Sequence, residues 1–471
     1  MTPLLSATDI VVQAAGQMLV HPATLVLHPG RPLTILGETG SGKSLLAQAL
    51  IGTLLQGLTA HGRVTIGDRV LDAAHPASFR PLWGRTLGVL PQEPWLSLDP
   101  LMPARDQVAE GHALVRGLSR GQARTAAARD LDGLGLGRAG GLRPDQLSGG
   151  MAQRAAFAAA RAGGARIIIA DEPTKGLDAH RRDEICALLL KGAADGGGLL
   201  TITHDLALAR ALGGDLMVVR QGRVVEQGPT AQVLAAPASD YTRALIAADP
   251  ASWPRQALRQ AQGSPVLRAE GLSAARGGRV LFRDLDLSVH PGEVLGITGP
   301  SGCGKSTLGD TLLGLARAEA GRVQRAQGIA PVRFQKLYQD PPSAFPRAVT
   351  LGRALDDLVA LHRLDRARIA PLLERMRLSP GLLTRRPDAV SGGELQRLAL
   401  LRVLLLDPVF LFADEPTSRL DLITQAEVTR LMIDIAHQAG MALLIVSHDA
   451  HLIARSCDRV IALEGPCAKA A

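Results

Sequence analysis

The sequence predicts an α/β protein of two tandem domains, each a mainly parallel sheet with an antiparallel β-subdomain and a helical subdomain. Three observations predict it. The chain has 471 residues, too many for one ordinary core and suited to two domains of about 200 residues each. Four short motifs occur twice in the same order. Each copy opens with an apolar strand pattern, a glycine-rich loop and a helical pattern, the order of a phosphate-binding βα unit.

The repeat sets the domain limits. GETGSGKS, from Gly37 to Ser44, recurs as GPSGCGKS, from Gly299 to Ser306. LSGGMAQR (Leu147 to Arg154) recurs as VSGGELQR (Val390 to Arg397), and IIIADEPTKGLD recurs as LFADEPTSRLD. TITHD, ending at Asp205, recurs as IVSHD, ending at Asp449. The step from Ser148 to Asp171 equals the step from Ser391 to Asp414, 23 residues in both. The halves differ ahead of this, where loop lysine to glutamine takes 49 residues in the first and 34 in the second. The extra residues are expected to enlarge antiparallel strands around Gly62 to Leu71. We expect a first domain over 1–248, a linker over 249–264, rich in Pro, Gln and Ala with room for one helical turn, and a second domain over 265–471.

The local patterns agree. RPLTILG and GEVLGITG read as strands before the two glycine loops, and SLLAQALIGTLL and STLGDTLLGLA as helices after them. Ile167 to Ala170 and Pro408 to Ala413 are apolar without alternation, as central parallel strands are. The SGG motif falls in a helical insertion.

Composition narrows the classes. Hydrophobic residues make up 46% and charged residues 20%, a globular balance without a disordered bias. The net charge of +8 raises nucleic acid, a membrane surface or nucleotide as acidic partners. Yet no run of five like charges and no basic stripe with interleaved aromatics occurs, so a solvated arginine-rich surface accounts for the charge. Cys186, Cys303, Cys457 and Cys467 never form CxxC, which argues against structural zinc or a disulfide framework and suits a reducing cytosol. The start, MTPLLSATDIVVQ, lacks signal-peptide character, and no apolar stretch is long enough to span a bilayer.

The motifs specify phosphate chemistry. A GxxxxGK[ST] loop turns backbone N–H groups into a concave nest at a helix N-terminus. Gly37, Gly40 and Gly42, with Gly299, Gly302 and Gly304, permit the turn and a close approach to phosphate. Lys43 and Lys305 are placed to reach the β- and γ-phosphates of ATP, Ser44 and Ser306 to ligate Mg²⁺, and Thr307 to help bind the nucleotide. Asp171 and Asp414 end apolar strands, where a carboxylate can hold the magnesium shell. Glu172 and Glu415 follow directly and suit a water-polarising role; the competing reading is a surface carboxylate capping the next helix. His204 and His448 are expected to bond the γ-phosphate and sense its loss.

On these motifs almost the whole chain resembles a pair of ABC-type nucleotide-binding domains, with SGG[ME]xQR as the specific marker. The resemblance implies that each ATP is shared between the loop of one domain and the signature of the other. Lys43 would pair with Ser391, Gly392 and Gly393, and Lys305 with Ser148, Gly149 and Gly150, in two competent sites closing head-to-tail. Gln92 and Gln339 match the family's magnesium-linked glutamine loop, and Asp178 and Asp421 the loop that couples the sites. The family's adenine-stacking aromatic is missing: the windows read Gln13-Ala14-Ala15-Gly16 and Ala274-Ala275-Arg276-Gly277. Arg276 could stack through its guanidinium. Weaker adenine discrimination, with comparable use of GTP, is expected at the first site.

QEPWLSLDP and VVEQGPTAQVLAAPASDYTRALIAADP resemble stretches of dipeptide, oligopeptide and nickel import ATPases, and the second half resembles the second ATPase of nickel importers. The cysteine-containing tail of many peptide-import ATPases is not recognisable. This resemblance implies an ATPase on the cytoplasmic face of a bacterial inner membrane, driving import of peptides, nickel or a metal chelate. Its partners would be two transmembrane permease subunits and, through them, an extracytoplasmic substrate-binding protein, with nucleic acid unlikely. Trp95, Leu96 and Phe345 are read either as a permease docking groove or as core. The competing function is a tandem ABC ATPase acting on ribosomes or nucleic acid. The short, nearly uncharged linker argues against it.

Overall fold

The computed structural model describes residues 2–92, 97–174, 179–194, 196–255, 263–300, 302–418 and 420–463. Contacts divide the chain into two compact units, Met1–Ile246 and Ala247–Ala471.

The first unit begins with an antiparallel sheet. Strands β1 (Leu5–Ala14) and β2 (Gln17–Leu27) form a hairpin whose turn places Ala15 and Gly16 at φ of +47° and +80°. After β3 (Leu33–Leu36) and helix α1 (Lys43–Ile51), strands β4 (Leu58–Ile66) and β5 (Arg69–Asp72) extend this sheet to the order β2-β1-β4-β5. The core sheet adds β6 (Leu87–Leu90), β7 (Ile167–Asp171), β8 (Gly198–Thr203), β9 (Asp215–Arg220) and β10 (Arg223–Pro229). Its order is β10-β9-β3-β8-β7-β6, parallel except for the β9–β10 hairpin.

Between β6 and β7 lie helices α2 (Ala104–Glu110), α3 (Arg120–Asp132) and α4 (Gly149–Ala162), the last bearing the SGG motif. Helices α5 (Ala179–Ala194) and α6 (Leu206–Leu212) connect the later strands, and α7 (Thr230–Ala235) and α8 (Asp240–Ala248) follow the sheet. Two cores result. One packs β1, β2 and β4 with α1 against one face of the core sheet; the other packs the α2–α4 helices, α5 and α6 against Ile168 and Ala170 on the opposite face. Strand β7, buried on both faces, therefore reads as continuous apolar sequence until Asp171 breaks it at the strand's C-terminal end.

Among the described residues, the second unit repeats the plan with fewer strands. Strands β11 (Leu267–Arg276), β12 (Arg279–Val289) and β14 (Ala320–Arg325) form an antiparallel sheet, with β13 (Val294–Thr298) and α9 (Lys305–Leu312) inserted between β12 and β14 in sequence. Its three strands stand against four in the first unit, whose extra strand β5 falls in the stretch where the motif spacing is longer. Strand β15 (Phe334–Leu337) precedes helices α10 (Leu351–His362), α11 (Ile369–Arg375) and α12 (Gly392–Leu404). Then come β16 (Phe410–Asp414), α13 (Leu422–Ala439), β17 (Ala442–Val446), α14 (Ala450–Ser456) and β18 (Arg459–Ala462). The core sheet, β15-β16-β17-β13-β18, is parallel throughout.

The segment expected as linker begins packed. Pro250–Ser252 forms a single 3₁₀ turn, and Trp253 is buried in the second unit's core. Its indole N–H donates to Ala247 O at 3.2 Å, and the Arg430 guanidinium of α13 lies 5.1 Å from the ring centroid. Phe345 is buried in the same core, so the docking-groove reading fails for this residue: an aromatic 5% exposed offers no face to a partner. Trp95 and Leu96 lie outside the described residues, as does Asp178. Among the described residues no helix is long and apolar enough to cross a membrane.

Candidate functional site

Each phosphate loop turns sharply from strand to helix. Gly40 and Gly42 take φ of +81° and +95°, and Gly302 and Gly304 take +78° and +104°, conformations that a Cβ disfavours. Gly37 is fixed by proximity: a Cβ there would sit 2.2 Å from Val219 O. Gly42 and Gly304 are the N-caps of α1 and α9, and neither helix receives a side-chain cap. The first-turn N–H groups, with the helix dipole behind them, are left to an anion.

The lysines fold back into their own loops. Lys43 Nζ donates to Gly37 O at 2.8 Å and Glu38 O at 2.7 Å; Lys305 Nζ donates to Gly299 O at 2.8 Å and Pro300 O at 3.1 Å. Burial pulls the Lys43 ammonium below the usual lysine value, against the opposing charges of Glu172, Asp171 and Glu38. Beside each lysine a hydroxyl meets a strand-end carboxylate. Ser44 Oγ lies 3.4 Å from Asp171 Oδ1, and Ser306 Oγ donates to Asp414 Oδ1 at 3.0 Å. Thr307 stands in the first turn of α9, next to Ser306.

These hard oxygen donors fit Mg²⁺, which takes few protein ligands and completes its shell with water and phosphate. Among the described residues no group of three His, Cys, Asp or Glu side chains forms an all-protein metal cage. Burial pushes the Asp414 carboxyl above its ordinary value, while the Ser306 hydrogen bond and the Lys336 charge pull the other way. An added cation would relieve that strain on the ionised form.

Among the described residues, neither Glu172 nor Glu415 caps a helix. Both sit just past their strands in the left-handed region, at φ of +48° and +47°, where a non-glycine residue is strained by about 1 kcal/mol or more. Their N–H groups bond across to the next strand, Glu172 to Ile202 O at 2.8 Å and Glu415 to Val446 O at 3.1 Å. The bend aims each carboxylate at the histidine beyond that strand. His204 Nδ1 lies 2.9 Å from Glu172 Oε1, and His448 Nε2 lies 2.5 Å from Glu415 Oε1. Burial pushes the Glu172 carboxyl up, but the His204 hydrogen bond and charge, with Lys43, outweigh it and hold the group below its ordinary value. The histidines are presented by the residue after them: Asp205 and Asp449 cap α6 and α14 through their carboxylates.

Gln339 Nε2 donates to Glu415 Oε2 at 2.7 Å, and Gln92 occupies the matching position two residues past β6. The signature serines cap their own helices. Ser148 Oγ accepts Met151 N–H at 3.3 Å, and Ser391 Oγ accepts Glu394 N–H at 3.3 Å in a full capping box. A Cβ on Gly149, Gly150 or Gly392 would meet open space, whereas one on Gly393 would approach Thr424 at 2.9 Å. Asp421 caps α13 by accepting Thr424 N–H at 3.0 Å. One buried tie escaped sequence reasoning: Gln153 Nε2 donates to Pro173 O at 2.6 Å, joining the signature helix to the Asp171-Glu172 turn. The Gln of the repeated LSGGMAQR motif was its signal.

Comparison with known proteins now bears on this geometry. The family described as "ABC transporter" matches residues 20–175 and 282–418. The glutathione import ATP-binding protein GsiA of Salmonella typhi is 32% identical over 97% of this chain and 83% of its own length; that of Escherichia coli K12 is 33% identical over 94% and 81%. The chain belongs to the ABC transporter family. It is a tandem ATP-binding protein related to the peptide and nickel import ATPases, and ATP and Mg²⁺ binding at the loop and strand-end motifs comes with membership.

Among solved structures, this ABC protein is similar to RNase-L Inhibitor, with a TM-score of 0.65 and 21% identity over 97% of this chain and 87% of that one. Archaeal ribosome recycling factor aABCE1, in its complex with ribosomal stalk protein aP1, gives 0.67 and 22% over 96% and 87%. That finding corrects the expected partners. Permease subunits with a substrate-binding protein, and nucleic acid set aside, do not stand as the assignment. A tandem fold shared with a ribosome recycling factor over nearly the whole chain does not specify what the ATPase acts on.

Proposed function

We propose that this chain is an ATP-hydrolysing tandem motor with two working sites. The observation supporting it is the duplicated Glu–His pair set beside a Lys–Ser–Asp phosphate and metal cradle. In this reading Lys43 and Lys305 bind the β- and γ-phosphates, and Ser44 with Asp171, and Ser306 with Asp414, hold Mg²⁺, which neutralises phosphate charge when bound. Glu172 and Glu415 orient the attacking water and accept its proton; His204 and His448 hold those carboxylates and face the γ-phosphate. Gln92 and Gln339 border the metal and the water. The uncapped N-termini of α1 and α9, and the glycines that follow Ser148 and Ser391, supply N–H groups to phosphate.

What the motor drives has two supported readings. Work on ribosomes or nucleic acid is supported by a tandem fold also used by a ribosome recycling factor. Import of a small solute is supported by the 32–33% identity to glutathione import proteins. Sedimentation of the purified chain with ribosomes, with and without a non-hydrolysable ATP analogue, separates them. Nucleotide-dependent, salt-sensitive co-sedimentation supports the first reading. Its absence, together with loss of labelled glutathione uptake in cells lacking the chain, supports the second.

A further inference from the structure

The repeat hides one chemical difference between the two sites. Three residues before the loop glutamine stands Val89 in the first half and Lys336 in the second. Five residues after the loop lysine stands Gln48 in the first and Asp310 in the second. Strand register makes these positions equivalent: Val89 pairs with Ile169, two residues before Asp171, and Lys336 pairs with Phe412, two before Asp414. Alternation along parallel strands then puts Lys336 and Asp414 on one face of the sheet.

In the second site the ammonium is held in place. Lys336 Nζ lies 2.6 Å from Asp310 Oδ1 and 3.7 Å from Asp414 Oδ2, with its side chain 12% exposed. It also lies 5.3 Å from the Tyr338 ring centroid and 5.5 Å from that of Phe412. A carboxylate and two aromatic faces thus fix a normally mobile group beside the strand-end carboxylate. Val89, the equivalent residue of the first half, is uncharged.

We propose that Lys336 is a resident counter-cation of Asp414 that weakens divalent-metal binding at the second site. The inference rests on reading Asp414 as the magnesium carboxylate. A fixed positive charge within 4 Å of a metal-binding oxygen repels the incoming ion, and Asp310 cancels only part of that field. Removing that charge is therefore expected to tighten metal binding at the second site roughly tenfold.

The test uses the full chain, saturated with a non-hydrolysable ATP analogue, and Mn²⁺ followed by electron paramagnetic resonance. Asp171→Asn removes the first site's metal carboxylate, so that the Mn²⁺ affinity of the second site is read by itself. In that background Lys336→Val with Asp310→Gln installs the first half's residues and is expected to tighten Mn²⁺ binding roughly tenfold. Lys336→Met, which keeps the stem and most of the packing, moves it the same way. An affinity unmoved in both folded variants overturns the inference. Absence of any nucleotide-dependent Mn²⁺ binding instead defeats the ATP-site reading beneath it.

Discussion

The Tyr241 hydroxyl accepts the backbone N–H of Glu38 at 3.2 Å, fastening α8 to the first phosphate loop. The tyrosine is buried, and the Arg220 guanidinium lies 4.9 Å from its ring centroid. The sequence's other tyrosine, Tyr338, stands beside Gln339 instead. Tyr241→Phe keeps the ring and removes the acceptor. It is expected to cost about 1 kcal/mol of stability and to weaken nucleotide binding at the first site several-fold. Chemical denaturation and titration with a fluorescent ATP analogue check both, and unchanged values would remove this contact from the loop's support.

Glu172 makes stability depend on pH. Its carboxyl is depressed on folding, burial being outweighed by His204 and Lys43. A depressed carboxyl contributes stability above its unfolded pKa, and that contribution is lost as pH falls through the lower folded value. The wild type should therefore lose stability on acidification below the ordinary carboxylate range, and Glu172→Gln should lose less over the same window. Denaturation curves at several acidic pH values would show matching slopes if the pair were energetically silent.

Asp414 has the opposite sign. Its carboxyl is raised by burial, so once ionised above the folded pKa it costs stability. Asp414→Asn is expected to melt, without metal, at or above the wild-type temperature and to lose the extra stabilisation that Mg²⁺ with ATP gives the second site. A marked fall in metal-free melting temperature with the Mg²⁺ response intact would contradict this.

Phe345 tests the corrected reading of the second glutamine loop. It packs in the core with Leu351 and Leu355 of α10. Phe345→Ala should cost about 3–5 kcal/mol, read by denaturant unfolding, whereas a surface residue would lose under about 0.5 kcal/mol.

Much of this was legible in the sequence because the repeat supplies its own control. Matched steps from Ser148 to Asp171 and from Ser391 to Asp414 fix strand, loop and helix order twice over. The left-handed turns at Glu172 and Glu415 were not legible, since nothing in DEPT signals a strained backbone; the strain is imposed by the neighbouring strand through Ile202 and Val446. The histidines were expected to face phosphate, but their carboxylate partners depend on that same bend. Lys336 meets Asp310 only through strand register, 26 residues away along the chain. Trp253 looked like linker because a single aromatic among Pro, Gln and Ala gives no periodicity, yet one buried indole anchors the segment.

The most direct test of the account is phosphate release from ATP by the purified wild-type chain and by the Glu172→Gln, Glu415→Gln double variant. The account predicts turnover in the wild type and a fall of roughly 100-fold or more in the variant, with ATP binding retained. Equal turnover in both proteins would contradict it, because the two carboxylates would then have no part in activating water.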